Sequence, residues 1–369
     1  MVIRIARPRL FCDGQETRSM LCIGTDVHAK LLTSYAVPLD MEDVEEKEFC
    51  DKFNREFKST PADRQSMLRL AKWLHGWDHC ILIENSTKTH EVYWTLTNED
   101  ANVLVANVAQ LYAITKSVKK TDHHDSFQLA HYMRRYALGE REFAECLMVD
   151  SVQMNRRQIC RIYALESENL SNIRRRIRSY MLLRGITVEK AYADIVAEFN
   201  LKELEMTADS SMRFLIDDAR HQRRKLESIR KSIAKEFDKD ETYKLIMSIP
   251  GFGVVTSAYL ASMIVSVDRF TSPAAFAAYF GVVPKQRESA DHAEKCGITR
   301  RGDEIALDML RKGTFAHISQ DKDRISSVSM MYDRLRKRGF PHKKALTACS
   351  NKMAHIMYAI LKSGECYRP

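Results

Sequence analysis

From Val152 to Glu241 the chain contains no proline and a single glycine, Gly185. In a helix interior proline costs about 3 kcal/mol and glycine about 1 kcal/mol relative to alanine, so so long a stretch nearly free of both is built for long helices. Apolar residues recur at Ile159, Ile162, Leu170, Ile173 and Ile177, and again at Leu215, Ala219, Leu226, Ile229 and Ile233. Spacings of three, four and seven put each set on one helical face. The pattern predicts a coiled-coil arm over 149–241, an antiparallel hairpin turning near "RGITVEKAYADI", residues 184–195. Within it, Arg174, Arg175 and Arg176 form either a solvated face or a phosphate-contacting one.

The residues before the arm follow a different rhythm. "LCIGTDVHAK" and "LLTSYAVPL" are two β-rich runs a few residues apart, as in a hairpin or meander. "PADRQSMLRLAKWLHGW" has helical spacing, "CILIE" ending at Glu84 reads as a buried strand, and "THEVYWTLTNED" reads as a helix. "NVLVAN" is a further strand, and Ser117–Arg135, "SVKKTDHHDSFQLAHYMRR", a further helix. Strands followed by alternating helices and strands predict an α/β domain over 21–148. Residues 1–20, Arg-rich and without the apolar core of a secretory signal, read as a poorly ordered leader.

After the arm, 242–369 reads as a mainly α-helical domain. Ile249-Pro250-Gly251-Phe252-Gly253 joins two apolar helices and resembles a helix-hairpin-helix, whose glycines let backbone N–H groups approach a phosphate. The alternative is a plain Pro-Gly turn between packed helices. Ser272 and Pro273 mark a helix start and Gly281 its stop. A polar loop, "VVPKQRESADHAEKCGITRRGDE", leads to further helices.

Lysine and arginine total 58 against 49 aspartates and glutamates, a net charge of +9 that favours polyanionic partners. The nine cysteines are scattered and include no Cys-x-x-Cys, which argues against a disulfide scaffold or zinc ribbon and for a reducing compartment. No apolar run approaches the ~20 residues that span a bilayer, so no membrane partner is expected.

Four acids stand at the ends of predicted elements: Asp26, Glu84, Asp122 and Asp125. A carboxylate interrupting an apolar strand, as Asp26 does, costs several kcal/mol unless it is neutralised. Asp122 and Asp125 are three apart and share one helical face. Carboxylates converging from strand ends and a helix make a hard-oxygen site suited to Mg²⁺ and to phosphodiester chemistry, with the order of an RNase H-like nuclease core. Each acid also has a purely structural account: Asp122 as an N-cap, Asp125 as a first-turn acid, Asp26 as a partner of Lys30. His123 and His124 read as flanking or DNA-facing groups.

"IGTDVHAK", "ILIEN" and "KKTDHHDSFQLA" resemble the DEDD motifs of the transposases of insertion-sequence family 110, including its 1111 group and the related pilin-gene invertases. "IPGFGVVTSAYLASMI", "RFTSPAAFAAYFGVVPKQRES", "GITRRGDE" and "KMAHIMYAILKSGECY" are similar to that family's C-terminal domain, so the resemblance runs from about residue 21 to the end. It implies a RuvC-like domain carrying the catalytic acids Asp26, Glu84, Asp122 and Asp125 as Mg²⁺ ligands, with Mn²⁺ a substitute. It also implies a serine nucleophile, which falls on Ser289 of "P-x-Q-x-x-S", and guidance by an element-encoded structured noncoding RNA pairing with double-stranded DNA. The chain departs from the family at Ala290, at "GDEIALDML" and at "NSTKTH" after Glu84. Lys119, Lys120, Lys285, Arg300 and Arg301 join Arg174–Arg176, Gly251 and Gly253 as candidate nucleic-acid contacts. The expected protein is a DNA transposase or site-specific recombinase, a dimer or tetramer in the prokaryotic cytoplasm and associated with the nucleoid. A RuvC-like structure-specific endonuclease of the Holliday-junction resolvase type needs the acids but no serine, and an inactive nucleic-acid-binding scaffold needs neither.

Overall fold

The computed structural model describes residues 20–106, 122–140, 145–186, 194–283, 288–289, 292–293 and 302–369. The chain divides into two compact units, Met1–Met148 and Val149–Pro369. It is mostly helical, with a small mixed five-stranded sheet in the first unit. Among the described residues no helix is long and apolar enough to cross a membrane.

In the first unit β1 (Leu21–Val27) and β2 (Leu31–Pro38) form the expected antiparallel hairpin. Helix α1 (Val44–Glu56), the short β3 (Thr60–Pro61) and α2 (Arg64–Leu74) then carry the chain across to β4 (His79–Glu84), which lies parallel to β1. Parallel neighbours require such a crossover. Helix α3 (Thr89–Thr97) leads to β5 (Val103–Ala106), parallel to β4, and α4 (Asp122–Ala137) follows. The sheet order is β3-β2-β1-β4-β5. Helix α1 is absent from the sequence reading: five acids among residues 42–48 dilute its apolar stripe, and Asp43 caps it by accepting from the Glu46 amide at 3.0 Å.

Strand alternation sorts the sheet into two buried faces. Leu21, Ile23, Val27, Ile81, Ile83, Val103 and Val105 pack with residues of α1, α2 and α3. Cys22, Cys80, Leu82, Leu104 and Ala106 pack with Leu129, Ala130 and Met133 of α4. Gly24 lies between Cys22 and Asp26 on the second face. A Cβ at Gly24 would stand 2.2 Å from both the Ala130 nitrogen and the Ser126 oxygen, so only glycine lets α4 lie this close.

The second unit begins with α5 (Ser151–Arg184), which runs antiparallel to α7 (Ser210–Glu236). Arg156 pairs with Glu236, Glu166 with Lys225, and Arg184 with Asp209, so the partner number falls as the first rises. The connection is more than a turn: Gly185 ends α5 with a left-handed φ of 62°, and α6 (Glu198–Met206) packs on the pair. The predicted seam needs correction. Ile216 is buried where Leu215 is half-buried, Ile162 is 39% exposed, and Cys160 and Met181 fill the α5 face.

Helices α8 (Glu241–Met247), α9 (Val254–Ile264), α10 (Pro273–Tyr279), α11 (Glu304–Gln320), α12 (Ser327–Lys337) and α13 (His342–Ser363) build the remaining core. Cys160, Ile233 and Phe237 from the long helices join it. A two-stranded ribbon, β6 (Glu288–Ser289) and β7 (His292–Ala293), stands in what the sequence shows as polar loop.

Gly24→Ala is expected to destabilise the first unit by about 3 kcal/mol, because the new methyl meets helix backbone that cannot rotate away. Urea denaturation followed by circular dichroism measures the loss.

Candidate functional site

The last β1–β4 register pair is Thr25 with Ile83. One residue further on, Asp26 and Glu84 therefore end neighbouring parallel strands, which run about 4.8 Å apart. By alternation both belong to the face that α4 covers. Helix α4 runs antiparallel to β1: Ser126 and Ala130 meet Gly24, whereas Arg134 donates to the Leu39 oxygen at 3.0 Å, beyond the start of β1. Its first turn, with Asp122 and Asp125, thus lies toward the strand ends that carry Asp26 and Glu84. Two strands bring Asp26 and Glu84 to one end of one face, and α4 begins toward that same end.

Asp26 is 7% exposed, and His28 Nε2 lies 3.1 Å from its carboxylate. The histidine two residues along the hairpin takes the place assigned by sequence to Lys30, whose carbonyl instead accepts from the Ala62 amide at 2.9 Å. Asp125 is half-buried. Only the backbone of Asp122 is described, as the first residue of α4. His123 is exposed with its ring edge-on to Tyr35 at 5.5 Å, and His124 stacks on Phe127.

The departure at "NSTKTH" has a structural role that sequence reasoning missed. The Ser86 hydroxyl donates to the Val27 oxygen at 3.0 Å, and the Thr89 hydroxyl donates to the Glu84 oxygen at 2.8 Å. The Ser86 amide donates in turn to Thr89 Oγ1 at 2.7 Å. These bonds tie the end of β4 to the end of β1 beside the two acids. Their signal was a pair of hydroxyl residues three apart, a local capping pattern.

Carboxylate oxygens suit a hard divalent cation, and Mg²⁺ commonly takes one or two of them and completes its sphere with water and substrate phosphate. Among the described residues no three His, Cys, Asp or Glu side chains form a ready metal cage. The carboxylates of Asp26 and Glu84 are donors of that chemical kind.

In the second unit Ser289 lies on β6, in register with His292 of β7, a histidine not singled out in the sequence. Lys119, Lys120, Lys285, Arg300 and Arg301 lie outside the described residues. Arg174 and Arg175 are engaged by Asp194 at 3.0 Å and Glu168 at 2.8 Å, while Arg176 is exposed. Gly251, with φ 92°, would place a Cβ 2.3 Å from the His317 nitrogen, so its first duty is close packing. Gly253, the N-cap of α9, faces open space.

The far end of the 282–304 segment is fixed by Asp303. Its carboxylate accepts from the Tyr259 hydroxyl at 2.8 Å, the Arg161 guanidinium at 2.5 Å and the Ala306 amide at 2.9 Å, which caps α11. Burial works to raise its pKa, but the Ala306 amide, Tyr259 and Arg161 outweigh it and hold the carboxyl below the usual range. A depressed carboxyl stabilises the fold above its unfolded value of about 3.9 and loses that contribution as pH falls through the folded value. Asp303→Asn is expected to cost about 2 kcal/mol at neutral pH. The gap from the parent should close as pH falls below about 4, which urea titrations at several pH values read directly.

Residues 243–328 match the family model described as the transposase IS116/IS110/IS902 family. The chain is 28% identical over 211 residues to a Sinorhizobium fredii protein, y4pF/y4sB, named as a transposase, covering 54% of this chain and 53% of that protein. It is 29% identical over 139 residues to the transposase for insertion sequence element IS1111A of Coxiella burnetii, covering 37% of each. It is 24% identical over 144 residues to the transposase for insertion sequence element IS1328 of Yersinia enterocolitica, covering 38% of this chain and 42% of that protein. The chain spans about half the length, or less, of these curated relatives.

Proposed function

We propose that this chain is a DNA transposase or site-specific recombinase of the kind its relatives are named for. The observation that carries the proposal is the position of Asp26 and Glu84 at adjacent parallel strand ends, toward which α4 begins, in a chain whose 243–328 segment is similar to a transposase family. A mixed sheet with acids at its carboxyl edge supports an RNase H-like, RuvC-like reading of the first unit. The antiparallel packing of α5 and α7 supports the coiled-coil arm.

Asp26, Glu84, Asp122 and Asp125 would hold Mg²⁺, with Mn²⁺ a substitute; the bound cation would withdraw charge from the phosphate oxygens and stabilise a departing alkoxide. The chain's own part is to supply the nucleophile and hold it. The Ser289 oxygen attacks the scissile phosphorus, forming a phosphoserine bond as the phosphorus–oxygen bond of one DNA strand breaks. The serine proton is lost and the leaving hydroxyl gains one. A hydroxyl from a second strand then displaces the serine, so the bond energy is conserved for rejoining. His28 Nε2 sits 3.1 Å from Asp26, where it helps orient a carboxylate that would otherwise resist burial.

Double-stranded DNA is the proposed substrate, a structured noncoding RNA the proposed guide, and a dimer or tetramer the proposed assembly. The excess of 58 basic over 49 acidic residues supports polyanionic partners.

Two variants separate this reading from a serine-independent nuclease. Asp26→Asn is expected to lower strand cleavage on the order of 10³-fold. Ser289→Ala is expected to abolish the covalent protein–DNA adduct seen on denaturing gels with labelled element-end DNA. Cleavage that survives Ser289→Ala, with no adduct from the parent protein, would establish the resolvase-like alternative.

A further inference from the structure

Residues 334–364 contain eight lysines and arginines and no aspartate or glutamate. Two of the eight lie away from the α12–α13 turn: Lys352 donates to the Ser327 oxygen at 3.1 Å, and Lys362 pairs with Asp268 at 2.7 Å; at the turn itself Arg336 donates to the Phe340 oxygen at 2.7 Å. The other six surround the turn between α12 and α13. Arg334, Arg336, Lys337 and Arg338 come from the end of α12, and Lys343 and Lys344 from the first turn of α13. All six are exposed, and none forms an ion pair with another described residue. The adjacent acid, Asp333, is held by Arg324 at 2.9 Å.

Stability of the free protein does not explain this cluster. Basic residues complement the end of α12, but Lys343 and Lys344 oppose the dipole at the start of α13, and six like charges around one turn repel. The contrast with Arg174 and Arg175, each held by an acid, is direct. Gly339, with φ 82°, reverses the chain so that both groups of charges border one turn.

Aromatic rings interleave with the charges. Phe340 is 39% exposed under the Arg338 guanidinium, which lies 5.8 Å from its ring centre. Phe315 of α11 is 46% exposed and meets the His342 ring edge-on at 5.4 Å. His342 is fixed in place by a 2.7 Å hydrogen bond with the Tyr332 hydroxyl. A duplex would offer this surface its phosphates but keep its base faces stacked; unpaired bases offer both phosphates and flat π-faces.

We infer that the α12–α13 turn binds single-stranded nucleic acid, its cations taking the phosphates and Phe315 and Phe340 the bases. The inference goes beyond the recombinase reading and needs neither the acids nor Ser289; the cluster also lies outside the 243–328 segment.

Fluorescence anisotropy of the full chain with a labelled single-stranded DNA of about 20 nucleotides, and with its duplex, tests the assignment. Replacing Arg336, Lys337, Arg338, Lys343 and Lys344 by alanine should raise the single-strand Kd about tenfold or more. It should also flatten the slope of log affinity against log salt by about 3. Phe340→Ala changes no charge and should weaken single-strand binding about fivefold or more while sparing the duplex. A five-residue variant with unchanged Tm whose single-strand Kd stays within twofold of the parent overturns the proposal. So does a parallel loss for both DNAs with Phe340→Ala silent, which would make the turn a duplex-backbone surface. If the five-residue variant melts early, Lys343→Ala with Lys344→Ala serves in its place; it should flatten the slope by about 1, and a single-strand Kd within twofold of the parent overturns the proposal.

Discussion

Helix α4 lies on β1 with no side chain between them at Gly24, and the first unit is arranged around that contact. One bulkier residue would lift the helix and draw its first turn away from the strand ends. The contact also sets depth: Ser126, one residue after Asp125, is fully buried, so the acid beside it stands at the margin of the core. Burial makes an ionised carboxylate costly, and Asp26 offsets that cost with His28.

The second unit uses similar devices for different ends. Gly251 lets the Pro250 turn seat against His317, whose Nδ1 bonds with the Pro250 oxygen at 2.9 Å and whose Nε2 bonds with the Ser326 hydroxyl at 2.8 Å. That buried histidine joins the α8–α9 turn to the start of α12. Asp303 holds the root of α5 through Arg161 and the body of α9 through Tyr259, while capping α11. The segment carrying Ser289 thus has one end anchored where three helices meet.

Much of this organisation is legible along the chain. The hairpin of "LCIGTDVHAK" and "LLTSYAVPL", the strand ending at Glu84 and the cap at Ser272 depend on neighbours within a few residues, and they appear where local chemistry puts them. Helix α1 escaped because its buried stripe, Glu46, Cys50 and Phe53, includes a carboxylate and is flanked by acids. The ribbon at Ser289 and His292 escaped because two-residue strands carry no periodicity. Leu215 and Ile216 show the limit of a periodic argument: adjacent apolar residues fit the same spacing, and only the partner helix selects which one turns inward.

The sequence by itself determined the elements and the chemical inventory: long helices from a stretch nearly free of proline and glycine, buried strands ended by acids, a serine in a polar segment, and an excess of positive charge. Those properties reside in single residues and their near neighbours. Tertiary structure alone decided that His28 and not Lys30 faces Asp26, and that Ser86 and Thr89 fasten β4 to β1. It also decided that Arg174 and Arg175 meet acids while the arginines and lysines of the α12–α13 turn meet none among the described residues. Some of these pairings are distant, as Ser86 with Val27, and some close, as His28 with Asp26; in both cases their energies depend on distance and burial, which exist only once the chain has folded.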